Sequence, residues 1–162
     1  MSQPTPFALS QLFTQLIGRK ATFVQASVAA ETKIEQIYGV YNVLPDNTAI
    51  VVKADLPLLG SFAGLLVGLP DSTVTEKLSA KPVDELLRDA IYEVLNIASA
   101  VVTEEGRAVF EKMVYNAAYI DGNAGKVLVK PDHRNYYNVT VEGYRGGRFA
   151  IFAPFSSTLG AG

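Results

Sequence analysis

Three polar residues at helical spacing are the group in this sequence best placed to do chemistry. Asp89, Glu93 and Asn96 follow one another at steps of four and three residues. On an α-helix these steps place the side chains on one stripe, within reach of a single partner surface. Two carboxylates and an amide could bind a partner there by hydrogen bonds and ion pairs. The alternative is that the stripe is only the solvated face of an amphipathic helix.

The residues around the stripe predict a long amphipathic helix over about residues 82–102. Pro82 suits the first helical turn, and Asp84 suits the positive end of the helix dipole. We expect one set of residues to face the core: Leu87, Ile91, Val94, Leu95, Ala98, Val101 and Val102. We expect a second set to face solvent: Glu85, Asp89, Tyr92, Glu93, Asn96 and Thr103.

The remaining patterns predict an α+β domain over residues 1–162, with frayed ends at 1–6 and 156–162. We expect a mostly antiparallel sheet of about six strands, with two or three long helices packed on it. Helices are predicted at 6–17, from near residue 71 and at 104–119. Strands are predicted at 21–29, 36–44, 48–54, 65–69, 127–130, 136–144 and 148–152, with a glycine hairpin turn at 145–148.

Composition excludes several classes of protein. The 162 residues are 49% hydrophobic and 19% charged, which suits one globular domain and excludes intrinsic disorder. The absence of cysteine excludes disulfides, a thiolate nucleophile and cysteine-ligated metals. A Ser-His-Asp triad would depend on His133 alone, in a turn-like loop where an exposed structural histidine is expected.

Charge and hydropathy limit the environment and the partners. The net charge of −2 gives no global bias toward nucleic acid or an anionic membrane. No apolar stretch reaches the roughly 18 residues of a membrane helix, and the N-terminus lacks the pattern of a signal peptide. We therefore expect a cytoplasmic protein with no membrane partner.

The segment D-A-I-Y-E-V-L-N, from Asp89 to Asn96, resembles the motif of the CheC/CheX/FliY group of chemotaxis phosphatases. That motif is Asp or Ser, three residues, Glu, two residues and Asn on a helix. The apolar run before it and the N-terminal helix followed by strands are also similar, so that the resemblance spans about residues 7–120. One motif copy and the chain length match the single-motif CheX type.

The resemblance implies that the chain binds a response-regulator receiver domain and hydrolyses its aspartyl phosphate. Asn96 would position the attacking water, because an amide accepts from water and donates to a phosphate oxygen. Glu93 would anchor the receiver lysine, and Asp89 and Tyr92 would complete the partner-binding surface. The receiver would supply Mg²⁺, so no cofactor of the chain's own is implied.

The sequence departs from the family pattern after the motif. Tyr119 stands where the longer motif has proline, and Ser99 and Ala100 stand where glycine is usual. These departures leave open a second function, a non-catalytic adaptor or switch module of the same fold. In a phosphatase Glu93 and Asn96 would be clear of intramolecular partners. In an adaptor Asn96 could cap a loop, or Glu93 could pair with Arg107.

The sequence also raises nucleic-acid binding and homodimer formation. Basic residues alternate with tyrosines near the C-terminus, a composition seen in nucleic-acid binding but also in a solvated hairpin, which we favour. Homodimer formation is left open, through an edge strand at 136–142 or through an apolar patch. The patch would comprise Leu56, Leu58, Leu59 and Phe62.

Overall fold

A six-stranded antiparallel sheet organises the chain. The structure is a computed structural model that describes residues 4–27, 33–104 and 106–154. The strands lie in the order β1-β5-β6-β3-β2-β4, and each neighbouring pair is antiparallel. The strands are β1 (Ala21–Ala26), β2 (Gln36–Leu44), β3 (Thr48–Asp55), β4 (Arg107–Val114), β5 (His133–Val141) and β6 (Tyr144–Ala153). The predicted α+β fold with an antiparallel sheet of six strands is confirmed.

Helices cover both faces of this sheet. The α-helices are α1 (Pro6–Ile17), α2 (Leu56–Val67), α3 (Asp71–Ser79), α4 (Glu85–Ile97) and α5 (Gly122–Val129). Short 3₁₀ turns follow α4 (Ala98–Ala100) and β4 (Ala117–Tyr119). The main core lies between the sheet and α1 to α4, and a smaller apolar cluster lies under α5 on the opposite face. Within the described residues, no helix is long and apolar enough to cross a bilayer.

The first helix matches its predicted bounds because its local signals agree. Thr5 accepts a hydrogen bond from the Ala8 N–H at the N-terminus, and Gly18 ends the helix with φ 71°. Residues 4–6 belong to the packed structure, since the Tyr137 hydroxyl donates to the Pro4 carbonyl. The rest of the ends predicted to fray, residues 1–3 and 156–162, lies outside the described residues.

The predicted strand at 65–69 is wrong, because these residues end and follow α2. A continuous apolar run does not distinguish a buried helix from a buried strand, and Pro57 in the first turn favours the helix. Gly64 lets α2 and α3 approach closely, since a Cβ there would lie 2.2 Å from Val74 Cγ2. The apolar patch left open for homodimer contacts does not form, because the side chains that would make it are all buried in the core: Leu56, Leu58, Leu59 and Phe62.

Two elements after α4 have a different type of secondary structure from the one predicted. Residues 107–114 form the edge strand β4 rather than a helix, because pairing with β2 overrides their helical apolar spacing. Residues 127–129 end the helix α5, where Ala124 and Val127 are buried against the sheet, and are not a strand. The region 136–142 is no edge, since β5 pairs with both β1 and β6.

The last hairpin turns earlier than predicted. Val141 pairs with Tyr144, so that Glu142 and Gly143 form the turn, with Gly143 at φ 79°. Gly146 lies instead within β6, where a Cβ would meet the Val139 carbonyl oxygen at 2.2 Å. Gly146 therefore allows close approach of β5 and β6 at a register shift. Gly147 instead leaves space for Asp55 and Leu58, each of which would lie 3.0 Å from a Cβ there.

Candidate functional site

The helix α4 positions the stripe. It begins later than predicted, because Asp84 is its N-cap and accepts from the Leu87 N–H at 3.2 Å. Lys77 of α3 binds the same carboxylate at 2.9 Å. The hydrogen bond from Lys77, followed by the one from Leu87, holds the pKa of Asp84 below its usual value. The helix ends at Ile97, where the chain tightens into a 3₁₀ turn.

The buried face of α4 is as predicted through its helical part. Leu87, Ile91, Val94 and Leu95 are fully buried, and α4 packs against α2. On the opposite face Glu85, Asp89, Tyr92, Glu93 and Asn96 are exposed. The placement of Thr103 with the exposed set is wrong, because it lies beyond the end of α4 and is buried.

The stripe is open to a partner. The structure brings Asp89, Glu93 and Asn96 together on one exposed helix face. Within residues 4–27, 33–104 and 106–154, the Glu93 and Asn96 side chains make no hydrogen bond or ion pair. Neither the Asn96 loop cap nor the Glu93–Arg107 pair expected of an adaptor is among the described contacts. Both side chains can therefore meet a partner without first breaking an internal contact.

Aromatic residues line one side of the stripe. The Tyr92 side chain is 45% exposed, and its ring meets Phe110 of β4 edge to face at 4.9 Å between centroids. Tyr115, just after β4, is 49% exposed and lies near Arg88 and Asp89. Partial burial, opposed by Arg88, raises the pKa of Tyr115. The sequence did not indicate Phe110 and Tyr115, because their place beside α4 depends on the pairing of β4 with β2.

The other sequence candidates do not join this site. His133 begins β5 and is half-buried, not in the exposed loop that was expected. The basic and aromatic residues near the C-terminus are dispersed, since Tyr137 is buried in the core while Arg134 is exposed. Among the described residues, no group of three or more His, Cys, Asp or Glu side chains could hold a metal ion.

Comparisons with known proteins agree on the fold. No family model matches the sequence, and no curated protein matches it. The FliM middle domain from H. pylori is similar in structure with a TM-score of 0.55 and 15% identity, covering 94% of this chain and 86% of that chain. The FliM–SpeE complex from H. pylori gives a TM-score of 0.63 at 11% identity, covering 93% and 82%.

FliY from Thermotoga maritima is a further structural neighbour. Its TM-score is 0.55 at 13% identity, and the match covers 89% of this chain and 81% of that chain. The chain therefore has the fold of the FliM middle domain and FliY, and the predicted resemblance to the CheC/CheX/FliY group is confirmed at the level of fold.

Proposed function

We propose that this chain binds the receiver domain of a response regulator and hydrolyses its aspartyl phosphate. The observation that carries this proposal is the open stripe of α4, where Glu93 and Asn96 are exposed and have no partner among the described residues. The fold shared with FliY, together with the motif resemblance at Asp89 to Asn96, supports a role in chemotaxis or motility signalling.

The proposed role of Asn96 is to place water in line with the phosphoryl group. An acyl phosphate is already reactive, so positioning of the attacking water can supply much of the catalysis. The Asn96 amide oxygen accepts a hydrogen bond from that water, and its nitrogen donates to a phosphate oxygen. The receiver supplies Mg²⁺ and a lysine, which neutralise charge on the phosphoryl group.

The proposed role of Glu93 is to hold the two proteins in register. Its carboxylate lies one helical turn before Asn96 and pairs with the receiver lysine. Asp89, one turn earlier again, buttresses the contact, and the exposed ring of Tyr92 packs against the partner.

Phosphate release from a phosphorylated receiver of the same organism tests the proposal. Asn96→Ala should lower the rate about 100-fold, the order of effect seen when one group is removed that stabilises a transition state. Its melting temperature should not change, because the side chain is exposed and makes no described contact. The matched control is Asn138→Ala, an exposed asparagine on β5 that should keep full activity.

Glu93→Ala should raise the apparent KM for the receiver more than it lowers kcat, because its proposed task is binding. Glu76→Ala on α3 is the control, since Glu76 is also an exposed helical glutamate. Equal activity of Asn96→Ala and the wild type would overturn the phosphatase proposal.

The second candidate is a non-catalytic interaction module that uses the same face. It is favoured by the apolar side chains beside the stripe, since Leu86 is 53% exposed and Tyr115 is 49% exposed. Such residues suit a docking surface whether or not chemistry follows. Receiver binding without acceleration, across the receivers of the organism, would favour this candidate.

A further inference from the structure

The last turn of α4 is fixed to the sheet by a buried tyrosine. The Tyr41 side chain is fully buried on β2, and its hydroxyl donates to the Leu95 carbonyl at 2.5 Å. The last carbonyls of a helix lack the partner N–H that an added turn would supply. Tyr41 therefore gives a side-chain donor to the turn that carries Asn96, from the side opposite to solvent.

The residues around Tyr41 strengthen this attachment. A Cβ on Gly39 would lie 3.3 Å from Leu95 Cδ2, so glycine gives Leu95 close access to β2. Phe110 contacts Tyr41 and Tyr92 with centroid distances of 5.3 and 4.9 Å. A continuous set of rings thus runs from Tyr41 in the core through Phe110 to Tyr92 on the exposed side of α4.

We infer that Tyr41 is a positioning residue for Asn96, an inference that rests on the proposed function. Asn96 directly follows the carbonyl that Tyr41 holds, near the end of the helix where fraying is easiest. One residue of winding turns a side chain by about 100° around the helix axis. A small loss of order in this turn would thus move the Asn96 amide away from the line of Glu93 and Asp89. Burial also raises the pKa of Tyr41, which keeps its hydroxyl a donor in alkaline solution.

Two matched hydroxyl deletions test the inference. Tyr41→Phe removes only the hydroxyl at α4. Tyr137→Phe removes the hydroxyl of another buried tyrosine, which donates to the Pro4 carbonyl at 2.9 Å. Both variants should lose similar thermal stability, because each loses one buried hydrogen bond. Only Tyr41→Phe should lower kcat for phosphate release, by about fivefold and with unchanged KM, a loss equivalent to about 1 kcal/mol.

Hydrogen exchange gives a readout that does not depend on activity. In Tyr41→Phe the amide hydrogens of residues 95–98 should exchange faster than in Tyr137→Phe and in the wild type. Unchanged exchange at these residues, or equal kcat in the two variants, would overturn the inference. A wild type that releases no phosphate would overturn the proposed function instead, and the exchange data would then decide whether Tyr41 holds this turn.

Discussion

Replacing Asp55 by alanine should cause a large loss of stability, because this carboxylate joins several elements. Asp55 is 2% exposed and directly precedes α2. Its Oδ2 accepts from the Arg148 backbone N–H at 2.8 Å and lies 3.5 Å from Arg148 Nε. Its Oδ1 accepts from the Gln36 side-chain amide. The carboxylate thus ties the end of β3 to β2 through Gln36 and to β6 through Arg148.

The contacts set the size of the expected loss. In Asp55→Ala the Arg148 N–H and the Gln36 amide lose this acceptor in two partly buried hydrogen bonds, while the Gln36 amide keeps its bond to the Ile34 carbonyl. A donor left unsatisfied on burial costs about 1–3 kcal/mol, and partial burial favours the lower end of that range. The Arg148 side chain is 29% exposed, so water can solvate its charge. The loss should therefore stay near the lower end of the roughly 3–5 kcal/mol found when a buried pair is broken. We expect about 3 kcal/mol, or about 6–12 °C in melting temperature.

Urea denaturation measures this loss directly. The midpoint should fall while the slope with denaturant stays constant, since the same surface is exposed on unfolding. Asp55→Asn should lose less, because one side-chain oxygen still accepts a hydrogen bond. Asp121→Ala is the control, since that carboxylate is 95% exposed and 3.9 Å from Lys112. A loss below about 1 kcal/mol in Asp55→Ala would refute the reasoning, because it would mean that the donors find other acceptors.

Three further predictions concern α2 and α4. Gly64→Ala should destabilise the fold by about 1–3 kcal/mol in urea denaturation, because its Cβ would lie 2.2 Å from Val74 Cγ2. Gly68→Ala is the comparison at the end of the same helix, where a Cβ meets no atom within 4 Å but φ is 80°, so that its loss measures backbone strain without a clash. Asp84→Ala should melt below the wild type at neutral pH, and the difference in melting temperature should shrink as pH falls through the lowered pKa of Asp84, since protonation removes its charged contacts in the wild type too; a constant difference down to strong acid would contradict this. Tyr92→Ala should weaken receiver binding in calorimetry more than Tyr119→Ala, because both rings are exposed but only Tyr92 lies on α4; equal affinities would argue against its binding role.

The sequence predicted those elements whose signals are local. The bounds of α1 and β2 are confirmed, and so are the faces of α4 up to Ile97. A helix cap, the alternation of apolar and polar residues in a strand, and the apolar repeat of a helix each involve residues close in sequence. These patterns can therefore be read from one sequence alone. The exposed stripe follows from the same repeat, and it was therefore predictable without knowledge of the partner elements.

The errors arise where distant pairing decides the conformation. Residues 107–114 have apolar positions compatible with a helix, yet β2 pairs with them and makes them an edge strand. The apolar residues of α2 gave no period to separate helix from strand, because this helix is buried on nearly all sides through Gly64. The sequence also did not predict that Tyr41 and Phe110 support α4. These residues lie on β2 and β4, and their place beside α4 depends on the order of the strands in the sheet.

The proposed activity depends on residues outside the motif as well as on the motif itself. An asparagine does not titrate, so its contribution depends on where its amide is held rather than on a tuned pKa. Its placement depends on the last turn of α4, where Leu95 lies against Gly39 and accepts a hydrogen bond from Tyr41, whose ring contacts Phe110. Two chains with the same Asp, Glu and Asn stripe could therefore differ in rate because of strands that the motif does not include. Retention of the three motif residues alone should be a weaker guide to activity than their retention together with this support.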